Sequence, residues 1–218
     1  MNLILFGPPG AGKGTQATKI VSNFKLIQVS TGDLLRNEIK NKSQLGSNIE
    51  KIISKGEFVS DEIVDNLIKK SILKIKFNHP IIFDGYPRNL SQTNNLENIL
   101  NKFNQKISFT IFLNVSREII EKRIIGRITC KKCNIIFNEF FNKKEIEEHS
   151  CGKEFLVKRQ DDDKKIAMSR YDTYMEKTKP VLDFYSSRKG FFEINGSLKI
   201  EQITNKIDDI FKSLRDWL

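Results

Sequence analysis

The chain has 218 residues, 39% of them hydrophobic and 29% charged, which is the composition of a globular protein with a sizeable core. No apolar run approaches the length of a membrane span and no signal pattern begins the chain, so we expect a cytoplasmic protein without membrane contacts. The net charge of +10 suits a polyanionic ligand, a class that includes nucleotides, nucleic acid and acidic membranes. Three cysteines are an odd number, which argues against a disulfide framework.

A short apolar run, Leu3 to Phe6, predicts a buried parallel strand because it shows no polar alternation. A glycine-rich segment, 7–14, follows it, and residues 15–24 have the composition of a helix. In this context the pattern G-x-x-x-x-G-K indicates a phosphate-binding loop, whose backbone N–H groups turn toward one anion at a helix N-terminus. Lys13 would reach the outer phosphates. The general pattern places a hydroxyl residue directly after the lysine, whereas here Gly14 comes first.

Strands continue to alternate with helices along the rest of the chain. Further apolar runs predict strands over 26–29, 81–83, 109–113 and 191–194. Helices are predicted over 31–40, 43–54, 61–74, 91–103, 117–127, 161–178, 180–189 and from 198 to the C-terminus. This alternation predicts an α/β fold with a five-stranded parallel sheet flanked by helices, and with ligands at the carboxyl ends of the strands.

Two stretches break the alternation. Residues 30–59 are predicted to be helical throughout, whereas residues 128–160 are polar, cysteine-bearing and poor in helical periodicity. We expect both to be insertions on the ligand side of the sheet, where long insertions commonly act as lids.

The cysteines form a second strong pattern. Cys130 and Cys133 have the C-x-x-C spacing of a structural zinc site, and Cys151 offers a third thiolate after a normal interval. Because Cys130 and Cys133 lie in a lysine-rich turn, we expect neither thiol to be buried. A fourth ligand is needed to complete a tetrahedron, and the candidates are His149, which we favour, Glu154 and Glu148.

A set of arginines falls at the mouth side of predicted elements or inside the insertions: Arg36, Arg88, Arg123, Arg127, Arg159 and Arg170. A guanidinium group binds phosphate oxygens bidentately and keeps its charge, although a surface ion pair would explain any single one equally well. Arg88 is better placed, in a turn directly beyond the third strand. Asp84 ends that strand, where an acidic group holds Mg²⁺ through water; the alternative is a turn-forming role before Gly85.

Several of these segments resemble the signature segments of the adenylate kinases: Gly7–Thr15, Ser30–Arg36, Asp84–Arg88, Arg123–Arg127, and Arg159–Asp162 followed by Arg170. The resemblance covers essentially the whole chain in order, and Gly14 after the lysine is what the nucleoside monophosphate kinases have. The long stretch between Arg127 and Arg159 is similar to the long-lid form, whose lid in some members holds zinc.

The resemblance implies where each nucleotide binds. ATP would contact Gly10, Ala11, Gly12, Lys13, Gly14, Thr15, Arg127, Ile136 and Phe137, with its adenine at the backbone near Leu198. AMP would contact Thr31, Arg36, Glu57, Phe58, Val59, Gly85, Tyr86, Pro87, Arg88, Gln92, Arg159 and Arg170. The catalytic cations would be Lys13, Arg88, Arg123, Arg159 and Arg170, and Asp84 would hold Mg²⁺ through water.

The resemblance also implies a division of the chain. Residues 1–29, 60–126 and 164–218 would form a core with the phosphate loop, residues 30–59 an AMP-binding insertion, and residues 127–163 a lid. We expect structural Zn²⁺ in the lid, bound by Cys130, Cys133, Cys151 and either His149 or Glu154, and Mg²⁺ with ATP. The protein would be a monomer that binds ATP, AMP and ADP and no nucleic acid.

The expected activity is reversible phosphoryl transfer, ATP + AMP = 2 ADP. Such a transfer needs charge neutralisation and exclusion of water, and no general base, because the acceptor phosphate is already an anion. The nearest alternative is a kinase for UMP, CMP or GMP, although Thr31 and Gln92 favour adenine by resemblance. A P-loop nucleotide switch and a nucleic-acid-binding module are more distant alternatives, because we find no water-positioning glutamine, recognition helix or aromatic platform.

Overall fold

The computed structural model describes residues 1–75, 79–159 and 162–215. In chain order its elements are β1 (Asn2–Phe6), α1 (Lys13–Phe24), β2 (Ile27–Ser30), α2 (Thr31–Lys40), α3 (Gln44–Ser54), α4 (Asp61–Leu73), β3 (Ile81–Asp84), α5 (Leu90–Asn101), β4 (Ile107–Asn114), α6 (Arg117–Ile125), β5 (Arg127–Cys130), β6 (Ile136–Asn138), α7 (Lys143–Glu147), β7 (Leu156–Val157), α8 (Lys164–Lys177), α9 (Lys179–Ser186), β8 (Phe191–Asn195) and α10 (Ile200–Arg215).

The main sheet has five strands in the order β2-β3-β1-β4-β8, and every neighbouring pair is parallel. Successive side chains of a strand point to opposite faces, so β1 contributes to both hydrophobic cores. Leu3 and Leu5 belong to one core, and Ile4 and Phe6 belong to the other. A parallel sheet covered by helices on both faces confirms the predicted α/β fold.

The arrangement of β1 and β3 brings two loops together. These strands pair in register, with Leu5 opposite Asp84, so both end at the same edge of the sheet. The glycine-rich loop therefore leaves β1 beside the turn that leaves β3. Side-chain caps begin two of the helices near this edge: Ser30 Oγ accepts a hydrogen bond from Asp33 N at 3.3 Å, and Asn89 Oδ1 accepts one from Gln92 N at 2.8 Å.

The stretch 128–160 contains more regular structure than the sequence indicated. Strands β5, β6 and β7 form a small antiparallel sheet in the order β6-β5-β7. These strands are only two to four residues long, which is too short to produce a recognisable alternation of polar and apolar residues. The sequence indicated only poor helical periodicity in this stretch, and its strands were not predicted.

Helix ends differ from the predicted ones by a few residues, as cap geometry decides them. Helix α1 begins at Lys13 rather than residue 15, and α8 begins at Lys164, where the Asp163 carboxylate accepts hydrogen bonds from Lys165 N and Ile166 N. The predicted helical positions 161 and 216–218 lie outside the described residues. Among the helices described, none is both long and apolar enough to cross a membrane.

Gly46 determines how closely α2 and α3 pack. A Cβ atom built at this buried glycine would lie 2.2 Å from the carbonyl oxygen of Glu38, which no side chain tolerates. We expect Gly46→Ala to push the helices apart and to lower the free energy of unfolding by about 1–3 kcal/mol. Urea unfolding beside Asn48→Ala, an exposed position on α3, provides the measurement and its control. Equal stability of the two variants would contradict the close packing.

Candidate functional site

The glycine-rich loop connects β1 to α1 and forms a cradle that opens away from the protein. Gly10 and Gly12 have φ values of +83° and +94°, which favour glycine. A Cβ atom at Gly10 would lie 2.7 Å from Ile124 Cγ1, so the loop packs tightly on α6. At Gly12 and Gly14 a Cβ atom would meet nothing within 4 Å. The open side of the loop thus has room for an anion at the N-terminus of α1.

Lys13 lies at the base of this loop with its charge poorly compensated. Its Nζ donates hydrogen bonds to the carbonyl oxygens of Gly7 at 2.7 Å and Pro8 at 3.2 Å. Burial lowers the pKa of Lys13 from 10.5 to about 8; the Asp84 carboxylate opposes this shift, and the charges of Arg88, Arg170 and Arg127 add to it. The amine is therefore a cation surrounded by cations, which a bound anion would stabilise.

The turn after β3 places a second cation beside the loop. Arg88 Nε donates to the carbonyl oxygen of Gly85 at 2.9 Å, and its guanidinium carbon lies 4.7 Å from the centre of the Phe58 ring. Burial and the charge of Arg170 lower the pKa of Arg88 to about 10, so this side chain stays charged at neutral pH. The two cations, Lys13 and Arg88, line one cavity of about 40 Å³.

Asp84 lies at the end of β3 between these cations. Gln28 Nε2 donates a hydrogen bond to its Oδ2 at 3.1 Å. Burial raises the pKa of Asp84, and the charge of Lys13 opposes that rise. A carboxylate oxygen at the edge of a phosphate-binding loop can coordinate Mg²⁺ or accept a hydrogen bond from water bound to that ion. The chemistry of Asp84 therefore fits the predicted ion.

The predicted AMP-binding residues surround the turn after β3. Thr31 Oγ1 donates to the carbonyl oxygen of Gly85 at 3.0 Å. Tyr86 is buried, with its hydroxyl group 2.7 Å from Asp65 Oδ1, and Pro87 follows it through a cis peptide bond. The backbone of Glu57, Phe58 and Val59 leads from α3 to α4, and Arg36 forms an exposed ion pair with Asp33 at 2.6 Å.

Gln92 is buried with both ends of its amide engaged by protein. Its Oε1 accepts from Arg88 N at 2.7 Å, and its Nε2 donates to Asp61 Oδ1 at 2.7 Å. In this structure Gln92 therefore orients the backbone of Arg88. Because an amide has two N–H donors and two oxygen lone pairs, these two bonds leave capacity for a contact to a base.

The remaining arginines lie on α6, at the start of β5, before α8 and on α8. Arg123 Nη1 donates to the carbonyl oxygen of Ala11 at 3.3 Å, and burial lowers its pKa. Arg127 begins β5 and forms a bidentate ion pair with the buried carboxylate of Asp162, with Nε 2.8 Å from Oδ2. Arg170 lies on α8, near enough to influence both Lys13 and Arg88. Arg159 lies between β7 and α8.

The other residues predicted to contact ATP lie in two separate places. Ile136 and Phe137 begin β6; Ile136 is 39% exposed, whereas Phe137 is buried with its ring 4.9 Å from that of His149. Leu198 lies in the turn between β8 and α10. The nucleotide contacts of all these residues stay predictions.

Cys130, Cys133, His149 and Cys151 come together as a candidate metal centre. One ligand atom from each lies within 4.8 Å of all the others. The distance from Cys133 Sγ to His149 Nε2 is 3.6 Å. Three thiolates and an imidazole are a donor set that suits tetrahedral Zn²⁺ and leaves no position for water or substrate. The donor chemistry therefore fits a structural zinc ion.

The other two candidate ligands lie elsewhere. A Cβ atom at Gly152 would lie 2.5 Å from Glu154 Oε1, so the Glu154 carboxylate folds over that glycine, and Glu148 is paired with Lys144 at 3.8 Å. One expectation about the cysteines was wrong: Cys130 is buried, because it ends strand β5 beneath the turn, while Cys133 is exposed.

Sequence reasoning missed several residues that shape the site. Asp162 pairs with Arg127, Thr178 Oγ1 donates to the carbonyl oxygen of Arg88 at 3.0 Å, and Tyr174 lines the cavity shared by Lys13 and Arg88. Thr178 and Tyr174 lie on or just after α8, whose pattern indicated only a helix. No sequence signal identifies which face of α8 meets the cleft.

Comparison with known proteins agrees with this geometry. The family model described as adenylate kinase matches residues 5–190. An adenylate kinase of Pelagibacter ubique is 62% identical over 212 residues, which are 97% of this chain and all of that protein. An adenylate kinase of Fusobacterium nucleatum is 42% identical over 214 residues, 98% of each chain, and one of Thermosipho melanesiensis is 35% identical over 214 residues, 97% of this chain and all of that protein.

The lowered pKa of Lys13 makes a prediction about stability and pH. Because this pKa is about 8 in the folded protein and 10.5 ordinarily, the unfolded state binds more protons between these values. The free energy of unfolding of the wild type should therefore rise with pH across that window relative to Lys13→Met, by at most about 1.4 kcal/mol per pH unit. Urea unfolding of both proteins at a series of pH values measures the difference. A difference independent of pH would contradict the lowered pKa.

Proposed function

The chain belongs to the adenylate kinase family, and from this membership and the geometry of the cleft we infer how its residues carry out the reaction ATP + AMP = 2 ADP. The observation that carries the assignment of roles is that Lys13, after β1, and Arg88, after β3, line one cavity. Two cations that approach from neighbouring strands suit two phosphate-bearing substrates that meet between them.

The protein's part in the transfer is to position and neutralise charge. An oxygen of the AMP phosphate attacks the terminal phosphorus of ATP, and the bond from that phosphorus to the ADP oxygen breaks. We assign the outer ATP phosphates to the loop and Lys13, and the AMP phosphate to Arg88 and Arg36. Arg123, Arg159 and Arg170 would neutralise the group in transfer. No general base is required, because the attacking oxygen is already an anion.

Adenylate kinases use Mg²⁺ with ATP, and Asp84 is the residue we assign to it. The ion supplies charge neutralisation at the ATP phosphates when it is bound. For the protein, the buried position of Asp84 and its hydrogen bond from Gln28 would keep the carboxylate oriented toward the cleft.

We propose that the cysteine cluster holds one structural Zn²⁺ through Cys130, Cys133, His149 and Cys151. The surrounding strands are short and the stretch is polar, so the metal would order a segment with little core of its own. The ligand set also favours a reducing compartment, which supports a cytoplasmic location.

The two insertions would exclude water from the transfer. We assign residues 30–59 to AMP binding, residues 127–163 to a lid, and the rest, 1–29, 60–126 and 164–218, to the core. The Arg127–Asp162 ion pair lies where the proposed lid joins α8, a place suited to a hinge. Because one chain supplies residues for both nucleotides, we propose that the monomer is active.

The test of this function is a coupled assay of ADP formation from ATP with AMP, UMP, CMP or GMP as acceptor. We expect AMP to be the preferred acceptor by a wide margin. Equal or faster transfer to UMP, CMP or GMP would identify the protein as a kinase for that monophosphate. No transfer to any acceptor would overturn the function.

Arg88→Ala should impair use of AMP far more than binding of ATP. Loss of one charged donor to a phosphate group should lower kcat/KM for AMP about a hundredfold or more. The dissociation constant of ATP should change little, because ATP is assigned to the loop after β1. Arg188→Ala is the control, since Arg188 pairs with Glu97 outside the cleft and should keep full activity. Equal weakening of the binding of ATP and of AMP, with turnover preserved, would refute the role of Arg88.

The zinc assignment predicts how metal content depends on each candidate ligand. Protein purified from zinc-replete medium should carry one zinc per chain; His149→Ala and Cys151→Ser should lose it, and Glu154→Ala should keep it. Removal of the metal should lower the melting temperature clearly, whereas the rate of the enzyme at low temperature should change little. Metal analysis of the variants decides the outcome. A metal-free wild type would exclude the site, and loss in Glu154→Ala alone would identify a different fourth ligand.

A further inference from the structure

In the part of the chain that the structure describes, three residues have a buried hydroxyl group without a hydrogen-bond partner. The side-chain oxygens of Thr129, Tyr174 and Tyr185 are buried and accept or donate no hydrogen bond there. Burial of an unpaired polar group is unfavourable, and in native proteins such a group commonly serves an ordered water molecule or a ligand.

Tyr174 differs from the other two in its surroundings. It lies on α8, is 7% exposed, and lines the cavity that Lys13 and Arg88 share, together with Phe58 and Thr178. Tyr185 is 2% exposed on α9 and packs against aromatic rings, with its own ring centre 5.5 Å from that of Phe6. Each of the two tyrosines therefore has an unpaired hydroxyl group, but of the two only Tyr174 lines the cleft cavity.

The cavity has the size to hold water, and Lys13 and Arg88 provide charged groups in a lining that is otherwise mostly apolar. Its volume of about 40 Å³ has room for about two or three water molecules. Burial raises the pKa of Tyr174, so its hydroxyl group keeps its proton and can donate at neutral pH. A neutral donor suits this place, since a further positive charge would add to the repulsion among Lys13, Arg88 and Arg170.

We propose that Tyr174 is a positioning residue for the phosphate groups: when the substrate is bound, its hydroxyl donates a hydrogen bond to a water molecule in this cavity. That water in turn donates to the phosphate oxygens held between Lys13 and Arg88. The proposal rests on the proposed function, because a phosphate-bearing substrate provides the acceptor. It gives a role to the unpaired hydroxyl group of a tyrosine that lines the cleft.

Tyr174→Phe removes only the hydroxyl group and serves as the test, with Tyr185→Phe as the matched control. Both variants should melt at the wild-type temperature or above, because each loses an unpaired buried hydroxyl. In Tyr174→Phe, kcat/KM for AMP should fall about five- to tenfold, and the increase in melting temperature that AMP produces should become smaller. In Tyr185→Phe, both quantities should match the wild type.

The other outcomes would overturn the inference. Activity of Tyr174→Phe within twofold of the wild type would remove any role for the hydroxyl group, and equal losses in both variants would assign the effect to packing. A lower melting temperature of ligand-free Tyr174→Phe would mean that the hydroxyl has a stabilising partner within the protein. If the wild type itself fails to convert ATP and AMP, the proposed function fails; if it converts them and Tyr174→Phe equals it, only this inference fails.

Discussion

Mutual repulsion among cations at the carboxyl edge of the sheet is the constraint on which the site depends. Burial lowers the pKa of Lys13, and Arg88, Arg170 and Arg127 are close enough for each to lower it further. Among the residues that the structure describes, Asp84 is the acidic group that opposes these shifts at Lys13. A cleft of this kind is least stable when empty of anions. Binding of phosphate groups relieves the repulsion, and the same charges then stabilise the transferring phosphoryl group.

The fold brings these charges together by strand register. Because β1 and β3 are neighbours with Leu5 opposite Asp84, the loop with Lys13 and the turn with Arg88 leave the sheet side by side. Helix α8 then adds Arg170. The turn is held by two hydrogen bonds of the Arg88 backbone, whose N–H donates to Gln92 Oε1 and whose carbonyl oxygen accepts from Thr178 Oγ1. The rigid sheet thus maintains an arrangement of charge that flexible loops alone would relax.

Much of this could be predicted from sequence because the signals are local. The apolar run before the glycines, the glycine-rich loop itself and the Cys130–Cys133 spacing each depend on a few neighbouring residues. The structure placed His149, rather than Glu154, beside the cysteines. What escaped prediction depends on contacts between distant segments. The strands β5–β7 are too short to show a period, the burial of Cys130 follows from that small sheet, and the pairing of Arg127 with Asp162 joins positions far apart in the chain.

The protonation of Lys13 tests the electrostatic account most directly. A ¹³C NMR titration of its ε-carbon, in the free protein and with ATP bound, reports the pKa of this amine. The account predicts a pKa of about 8 in the free protein and a rise toward 10.5 or above when the phosphates of ATP neutralise the surrounding charge. A pKa of 10.5 in the free protein, unchanged by ATP, would contradict it.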